Sequence, residues 1–178
     1  MRNKKLELNR AKNLIKKFCI LNEINIPITR IKNDLDCLGC YYDDGSRNIY
    51  VNLKITVLSS NRNNPAMIKE STITGAIVHE FAHYIHYTTK RNILIDSFKK
   101  LKEPLVNYWE NEIEEDIAES IRLFILNPSL LKEGRPIRYK ILNKHFKSIQ
   151  NVKHYSELFK GLDGHKRRIV DIWLKKII

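Results

Sequence analysis

Hydrophobic residues recur at helical spacing near the start of the chain and again in its centre. Residues 4–24 predict an amphipathic helix that Pro27 ends. Its apolar positions are Leu6, Leu14, Ile15, Phe18 and Leu21. Residues 68–88 predict a second helix, for which Ser71 or Thr72 is a suitable N-cap. This central helix is apolar apart from one strip of polar groups, so we expect it to be buried.

Between these two helices the pattern changes to the alternation that is typical of strands. Residues 26–31 predict a short strand. Residues 38–42 and 48–53 predict a hairpin, because they are aromatic and β-branched and flank a turn rich in aspartate and glycine. Residues 59–65 are polar and predict a loop.

The second half of the chain is predicted to be mostly helical. Residues 93–107 indicate a connector or a short helix, and residues 112–126 a strong, buried helix. Residues 129–133 predict a short turn. From Pro136 onwards the pattern predicts a basic helical tail that is interrupted at residues 161–164.

The central helix carries the pattern H-E-x-x-H, formed by His79, Glu80 and His83. Residues four apart share a helix face, so both imidazoles can reach one point. That point suits Zn²⁺, which accepts histidine nitrogens at about 2.0–2.1 Å. Glu80 lies one residue round the helix, where its carboxylate can act as a general base rather than as a ligand. The alternative is a surface helix with solvated histidines, which the apolar flanks disfavour.

The composition limits the class of protein. The chain has 178 residues, of which 43% are hydrophobic, and this is enough for the core of one domain. An apolar run long enough for a transmembrane helix is missing. The first eight residues are charged and no apolar signal segment follows, so we expect a cytoplasmic protein. Cys37 and Cys40 form a C-x-x-C without a second pair, which favours two small strand residues over a metal or redox site.

The net charge of +12 is unevenly distributed. Residues 1–32 hold nine lysines and arginines against two acidic residues, and residues 132–178 hold thirteen against four. Residues 33–131 hold ten against fourteen, so the histidine motif lies in an acidic centre between two basic ends. Basic ends can contact nucleic acid, a membrane surface or an acidic partner, or they can simply be solvated.

A catalytic zinc ion needs a third protein ligand besides two histidines, with its fourth position open. The acidic helix 112–126 offers Glu115 and Glu119, which lie four residues apart on one face. Buried carboxylates need partners, and a cation can be one. One glutamate can bind the metal while the other fixes a histidine ring through its second nitrogen. The chemistry alone leaves open which glutamate takes which part.

The spacing of these residues resembles a known family, that of the catalytic domains of anthrax lethal factor and the Pro-Pro endopeptidases. The resemblance rests on H-E-F-A-H-Y and on Tyr108-x₆-Glu115-x₂-Ala118-Glu119-x-x-Arg122-Leu123. It implies a gluzincin-type zinc peptidase in which Glu115 is the third ligand and Glu119 contacts a ligand rather than the metal. It also implies that Tyr108 stabilises the developing oxyanion.

A partial similarity to ImmA/IrrE-type phage peptidases rests on Glu115, Ala118 and the apolar stretch that ends at Pro128. Those peptidases do not generally have an equivalent of Tyr108, which favours the first family. Tyr108 can equally be an aromatic residue of the core. His86 departs from the metzincin pattern, which requires glycine at this position, and we expect it either in the cleft or on the surface.

These observations predict a single α+β domain over residues 1–178 with a zincin-like fold. A small antiparallel or mixed sheet would pack on the active-site helix and on a second, ligand-bearing helix. We expect an N-terminal helix and sheet in residues 1–65, the metal-site helices in 66–133 and a basic helical tail in 134–178. In such a fold the edge strand runs beside the cleft, and we expect residues 48–53 to pair there with an extended peptide.

The predicted function is that of a zinc-dependent metalloendopeptidase acting on a peptide or protein substrate. One Zn²⁺ would be held by His79, His83 and Glu115, and Glu80 would be the general base. A small cytoplasmic peptidase of this pattern is similar to proteins of phages and mobile elements. The alternative is a non-catalytic, zinc-containing binding module whose basic ends hold nucleic acid or an acidic protein.

Overall fold

The first helix, α1, spans Lys4–Asn22 in a computed structural model that describes residues 4–37, 39–42, 45–54, 72–101, 113–150, 164, 167 and 168. Its buried apolar face is formed by Leu8, Ala11, Ile15, Phe18 and Cys19. The prediction of the helix is confirmed, but two of the apolar residues named for it, Leu6 and Leu21, are exposed. Leu6 lies on the opposite side of the helix from Leu8, and Leu21 lies at the flank of the buried face.

Helix α1 ends at Asn22, two residues before its predicted end and five residues before Pro27. Glu23 adopts a left-handed conformation with a φ of 56°. The N–H group of Ile24 then donates a hydrogen bond of 2.9 Å to the carbonyl oxygen of Cys19. This six-to-one bond is the closure of a Schellman motif, which satisfies a carbonyl at the end of the helix. The helix therefore ends through its own backbone geometry, and Pro27 only follows it.

Three short strands form a mixed sheet in the order β1-β3-β2. They are β1 at Ile28–Ile31, β2 at Gly39–Tyr41 and β3 at Asn48–Val51. The hairpin of β2 and β3 is antiparallel, as predicted, and β1 pairs with β3 in parallel. In the connecting turn Gly45 has a φ of 74°, which glycine adopts without strain. The prediction that residues 48–53 form the edge strand is wrong, since β3 lies between its two partners.

The central helix, α2, spans Thr72–Ile85 and packs against α1 and the sheet. Its predicted start lies outside the described residues, as does Ser71, and Thr72 is already helical. The chain continues from α2 as a π-helical turn, His86–Lys90, and then as α3, Arg91–Phe98. The fully buried apolar residues of α2 include Ile77, Val78, Phe81, Ala82 and Ile85. The expectation of a buried helix is confirmed.

The helix predicted at residues 112–126 is α4, Ile113–Leu126, and it packs against α2. It is followed by α5, Pro128–Gly134, and α6, Pro136–His145. The predicted turn at residues 129–133 is therefore wrong, because this stretch is helical. Proline is the first residue of both α5 and α6. At this position a backbone N–H group would have no acceptor within the helix, so its absence in proline costs nothing.

The described residues form an α+β structure of six α-helices and one small mixed sheet. Their apolar core is shared by all six helices and the inner strand β3. None of the described helices is both long and apolar enough to cross a membrane. The prediction of one domain over residues 1–178 stays a prediction. So does the interruption of the C-terminal tail, which lies almost entirely outside the described residues.

Candidate metal centre

Helix α2 presents its two motif histidines on one face, with their side chains facing each other. The Nε2 atoms of His79 and His83 lie 3.1 Å apart. The two rings are nearly perpendicular, at 82°, with centroids 4.7 Å apart. Because the opposite face of α2 is fixed in the core, the direction of the two imidazoles is set by the packing of the helix. Both Nε2 atoms therefore point to one place.

Helix α4 brings a carboxylate to the same place. Glu115 Oε2 lies 3.2 Å from His79 Nε2, and Glu115 Oε1 lies 3.1 Å from His83 Nε2. The ligand atoms of His79, His83 and Glu115 all lie within 4.8 Å of one another. The structure thus brings together the three residues predicted as metal ligands.

The spacing of these three atoms fits a small tetrahedral cation. Ligands about 2.0–2.1 Å from a tetrahedral zinc ion are separated from each other by about 3.3 Å. The separations here are 3.1–3.2 Å. Two nitrogens and one oxygen are also a donor set that zinc accepts. The side chains of His79, His83 and Glu115 remain 15%, 12% and 27% exposed, so none of the three is completely buried.

Glu119 and Arg122 lie behind His79. The Nδ1 atom of His79 is 3.0 Å from Glu119 Oε1, and Arg122 Nη2 donates a hydrogen bond to the other carboxylate oxygen, Oε2. Glu119 therefore orients the ring of His79 through the nitrogen that does not face the ligand cluster. Of the two glutamates, the geometry places Glu115 in the group that could hold a metal ion and Glu119 against Nδ1 of His79.

The cluster has more negative than positive charge at close range, and this changes its proton affinities. Burial alone would lower the pKa of His79, but the carboxylates of Glu115 and Glu119 outweigh it and raise this pKa to about 9. Burial likewise opposes ionisation of Glu119, but Arg122 and His79 lower its pKa to about 2. The site thus favours a cation beside the two carboxylates, either a proton on His79 or a metal ion that replaces it.

Glu80 lies next to this cluster and is held by the strand β2. Burial raises the pKa of its carboxyl above the usual value, and the imidazoles of His79 and His83 oppose that rise. The backbone N–H group of Tyr41 donates a hydrogen bond to the carboxylate of Glu80. A carboxylate with a raised pKa that is not one of the three ligands is suited to accept a proton near neutral pH.

Comparison with protein-family models, curated proteins and solved structures finds no match to this chain.

We expect replacement of Glu119 by alanine to weaken metal binding without abolishing it. Loss of a residue that orients a ligand typically costs about 10–100-fold in metal affinity. Zinc affinity can be measured by competition with a chromogenic chelator. Glu133, an exposed glutamate of α5, provides the matched control, and Glu133→Ala should leave the affinity unchanged. Wild-type zinc affinity in the Glu119→Ala variant would contradict this role for Glu119.

One predicted site residue, Tyr108, lies outside the described residues, so its expected role stays a prediction. A different tyrosine adjoins the ligands. The ring centroid of Tyr87 lies 6.3 Å from that of His83, and its hydroxyl donates a hydrogen bond to Glu114, the neighbour of Glu115. Tyr87 therefore ties the end of α2 to the start of α4. Its position four residues after His83 is the signal that could have indicated it.

His86 lies in the π-helical turn and is fully buried, so the expected surface position is wrong. It is not one of the three residues of the ligand cluster. Its ring instead packs beside Tyr87, with centroids 5.0 Å apart.

The C-x-x-C motif lies beside the site, and only its second cysteine is in a strand. Cys40 belongs to β2, whereas Cys37 precedes the strand and is exposed. Partial burial, together with the neighbouring thiol of Cys40, raises the pKa of Cys37 to about 11. A thiol with so high a pKa stays protonated near neutral pH and is a poor nucleophile.

Proposed function

We propose that this protein is a zinc-dependent metalloendopeptidase. The observation that carries the proposal is the ligand cluster of His79, His83 and Glu115, with Glu80 beside it on the same helix as the histidines. Three protein ligands with one open side are typical of catalytic zinc, whereas structural zinc is usually enclosed by four protein ligands.

In this proposal each residue has a separate task. The three ligands hold the ion, and Glu119 keeps the ring of His79 in the orientation and tautomer that bind it. Bound zinc supplies a Lewis acid and lowers the pKa of a water molecule from about 15.7 to about 7. The Glu80 carboxylate accepts the proton of the attacking water and returns it to the nitrogen that leaves. Tyr108 keeps the oxyanion role that the family resemblance implies.

The substrate would bind in extended form along β2 rather than β3. Among the described strands β2 is an edge, and it is the strand that contacts Glu80. An extended peptide can add to such an edge through backbone hydrogen bonds.

The proposal is tested by searching for new chain ends in a peptide mixture. The zinc-loaded protein is incubated with a peptide library made by digesting a whole proteome, and new N-termini are identified by mass spectrometry. We expect a reproducible set of cleavages that a zinc chelator abolishes and added zinc restores. If the zinc-loaded protein produces no cleavage in such a library or in intact protein extracts, the proposal fails.

A second candidate function, a binding module, is favoured by the charge on α1. Its exposed cationic residues are Lys5, Arg10, Lys12, Lys16 and Lys17. The one acidic residue of this helix, Glu7, is 8% exposed and accepts a hydrogen bond of 2.9 Å from Thr74. Retention on a DNA or heparin column that falls steeply with salt would support this candidate. If the protein also cleaved peptides, the metal centre and not α1 would account for that activity.

A further inference from the structure

Gly39, the first residue of β2, is the point at which the sheet comes closest to Glu80. A Cβ atom built on Gly39 would lie 2.9 Å from Glu80 Cγ and 3.7 Å from Glu80 Cδ. The first distance is shorter than any that real Cβ atoms adopt, and Cγ belongs to the stem of the side chain, not to its flexible end. A residue other than glycine therefore cannot occupy this position unless Glu80 or β2 moves.

The same strand makes a second contact with Glu80, two residues further along. The N–H group of Tyr41 donates a hydrogen bond to the Glu80 carboxylate. Between the two contacts, β2 stays in antiparallel register with β3, with Gly39 opposite Val51 and Tyr41 opposite Ile49. Val51 and Ile49 are fully buried, so the position of β2 is fixed from its inner side by the core.

These contacts restrict the side-chain conformations that α2 alone would allow Glu80 to adopt. Helix α2 fixes the Cα atom of Glu80, but a glutamate side chain has three rotatable bonds, and ordering a side chain of this kind costs entropy. The close approach of Gly39 restricts the stem, and the Tyr41 N–H group fixes the carboxylate. Glycine in a strand often marks such a close approach.

We propose that Gly39 is a positioning residue for the general base. Because glycine has no side chain, β2 can approach Glu80 closely and hold its carboxylate beside the metal centre. The contact itself does not depend on the protein's function, but its catalytic meaning rests on the proposed peptidase activity. Among the described glycines, Gly45 has a backbone in the left-handed region and Gly39 does not. Alanine at position 39 therefore meets no conformational strain. The effect of Gly39→Ala would then arise mainly from its contact with Glu80.

The contact is tested by a double-mutant cycle on stability that needs no substrate. Gly39→Ala is measured by chemical unfolding in the wild-type protein and in Glu80→Ala, which lacks the Cγ atom that the new methyl group would meet. We expect a lowered unfolding midpoint in the first background and a much smaller change in the second. If Gly39→Ala prevents folding, the double variant should restore it. Equal destabilisation in both backgrounds would overturn the proposal.

The positioning role is tested on the zinc-loaded protein. We expect Gly39→Ala to keep its zinc and its KM but to lose kcat by about 10²-fold, since a displacement of about 1 Å can have this effect. Gly164→Ala, the same change at a glycine whose added Cβ atom would meet nothing within 4 Å, is the control and should retain full kcat. Wild-type kcat in Gly39→Ala would overturn the proposal. If the wild-type protein itself shows no turnover, the peptidase function fails, and the stability cycle alone decides whether Gly39 seats Glu80.

Discussion

Glu80→Gln is expected to keep its zinc and to lose about 10²–10⁴-fold in kcat, the usual contribution of a positioned general base. Glutamine has nearly the same size as glutamate and can still accept the hydrogen bond from the Tyr41 N–H group, so the structure around the site should persist. What the amide cannot do is accept a proton. Burial raises the pKa of the Glu80 carboxyl towards neutral pH, where proton transfer is most effective, and this tuning is lost as well.

This prediction is checked with a peptide identified from the library, by kinetics on zinc-loaded protein and by elemental analysis of the same samples. Glu133→Gln makes the same chemical change at an exposed position of α5 and should behave like the wild type. Full activity in Glu80→Gln would rule out the mechanism. Loss of zinc from this variant would show that Glu80 belongs to the metal site itself.

Glu115→Ala is expected to lower zinc affinity by about 10²–10⁴-fold. Apparent binding free energies for structural zinc are about 10–16 kcal/mol, and removal of one of three ligands forfeits roughly a third of a free energy of that size. In the wild-type structure Glu115 contacts both Nε2 atoms, and among the described residues it is the carboxylate that completes the group with the two histidines. After dialysis, wild-type protein should retain about one zinc per chain and the variant much less.

Elemental analysis gives the zinc content, and thermal unfolding with and without added zinc gives an independent measure of binding. A ligand that binds only the folded state at about 100 times its Kd stabilises it by about 2.7 kcal/mol, so the wild-type melting temperature should rise with zinc. The variant should show little rise, while Glu133→Ala should match the wild type. Full zinc content in Glu115→Ala would move the third ligand elsewhere, first to Glu119. No zinc in the wild-type protein would favour the binding module.

The local spacing of apolar residues was sufficient to predict where most of the described helices lie. It was a weaker guide to which face of each helix is buried. The helices α1, α2 and α4 follow from apolar residues three and four apart, because this spacing is a property of the helix itself. Leu6 and Leu21 belong to the apolar pattern of α1 and are nonetheless exposed. Their side chains are as apolar as that of Leu8, and only the packing of α1 against α2 decides which of them meets a partner.

The sheet shows the same limit. The hairpin of β2 and β3 is local, so the turn between them predicts their pairing. The parallel pairing of β1 with β3 joins segments about twenty residues apart, so no local sequence pattern indicates it. It makes β3 an inner strand and β2 the edge beside Glu80, which reverses the predicted arrangement. The close approach of Gly39 to Glu80 arises from this arrangement and was missed for the same reason.

By itself, the sequence determined the chemistry of this site: two histidines four apart, a glutamate beside the first and two further glutamates on a second helix. Helical periodicity places each pair on one face, whatever the rest of the chain does. Only the tertiary structure decided which glutamate faces both Nε2 atoms and which lies against Nδ1 of His79. The packing of α4 against α2 puts Glu115 in front of both Nε2 atoms and Glu119 behind His79. Residues one helical turn apart are equivalent in sequence and become different only when a neighbouring helix fixes their distances.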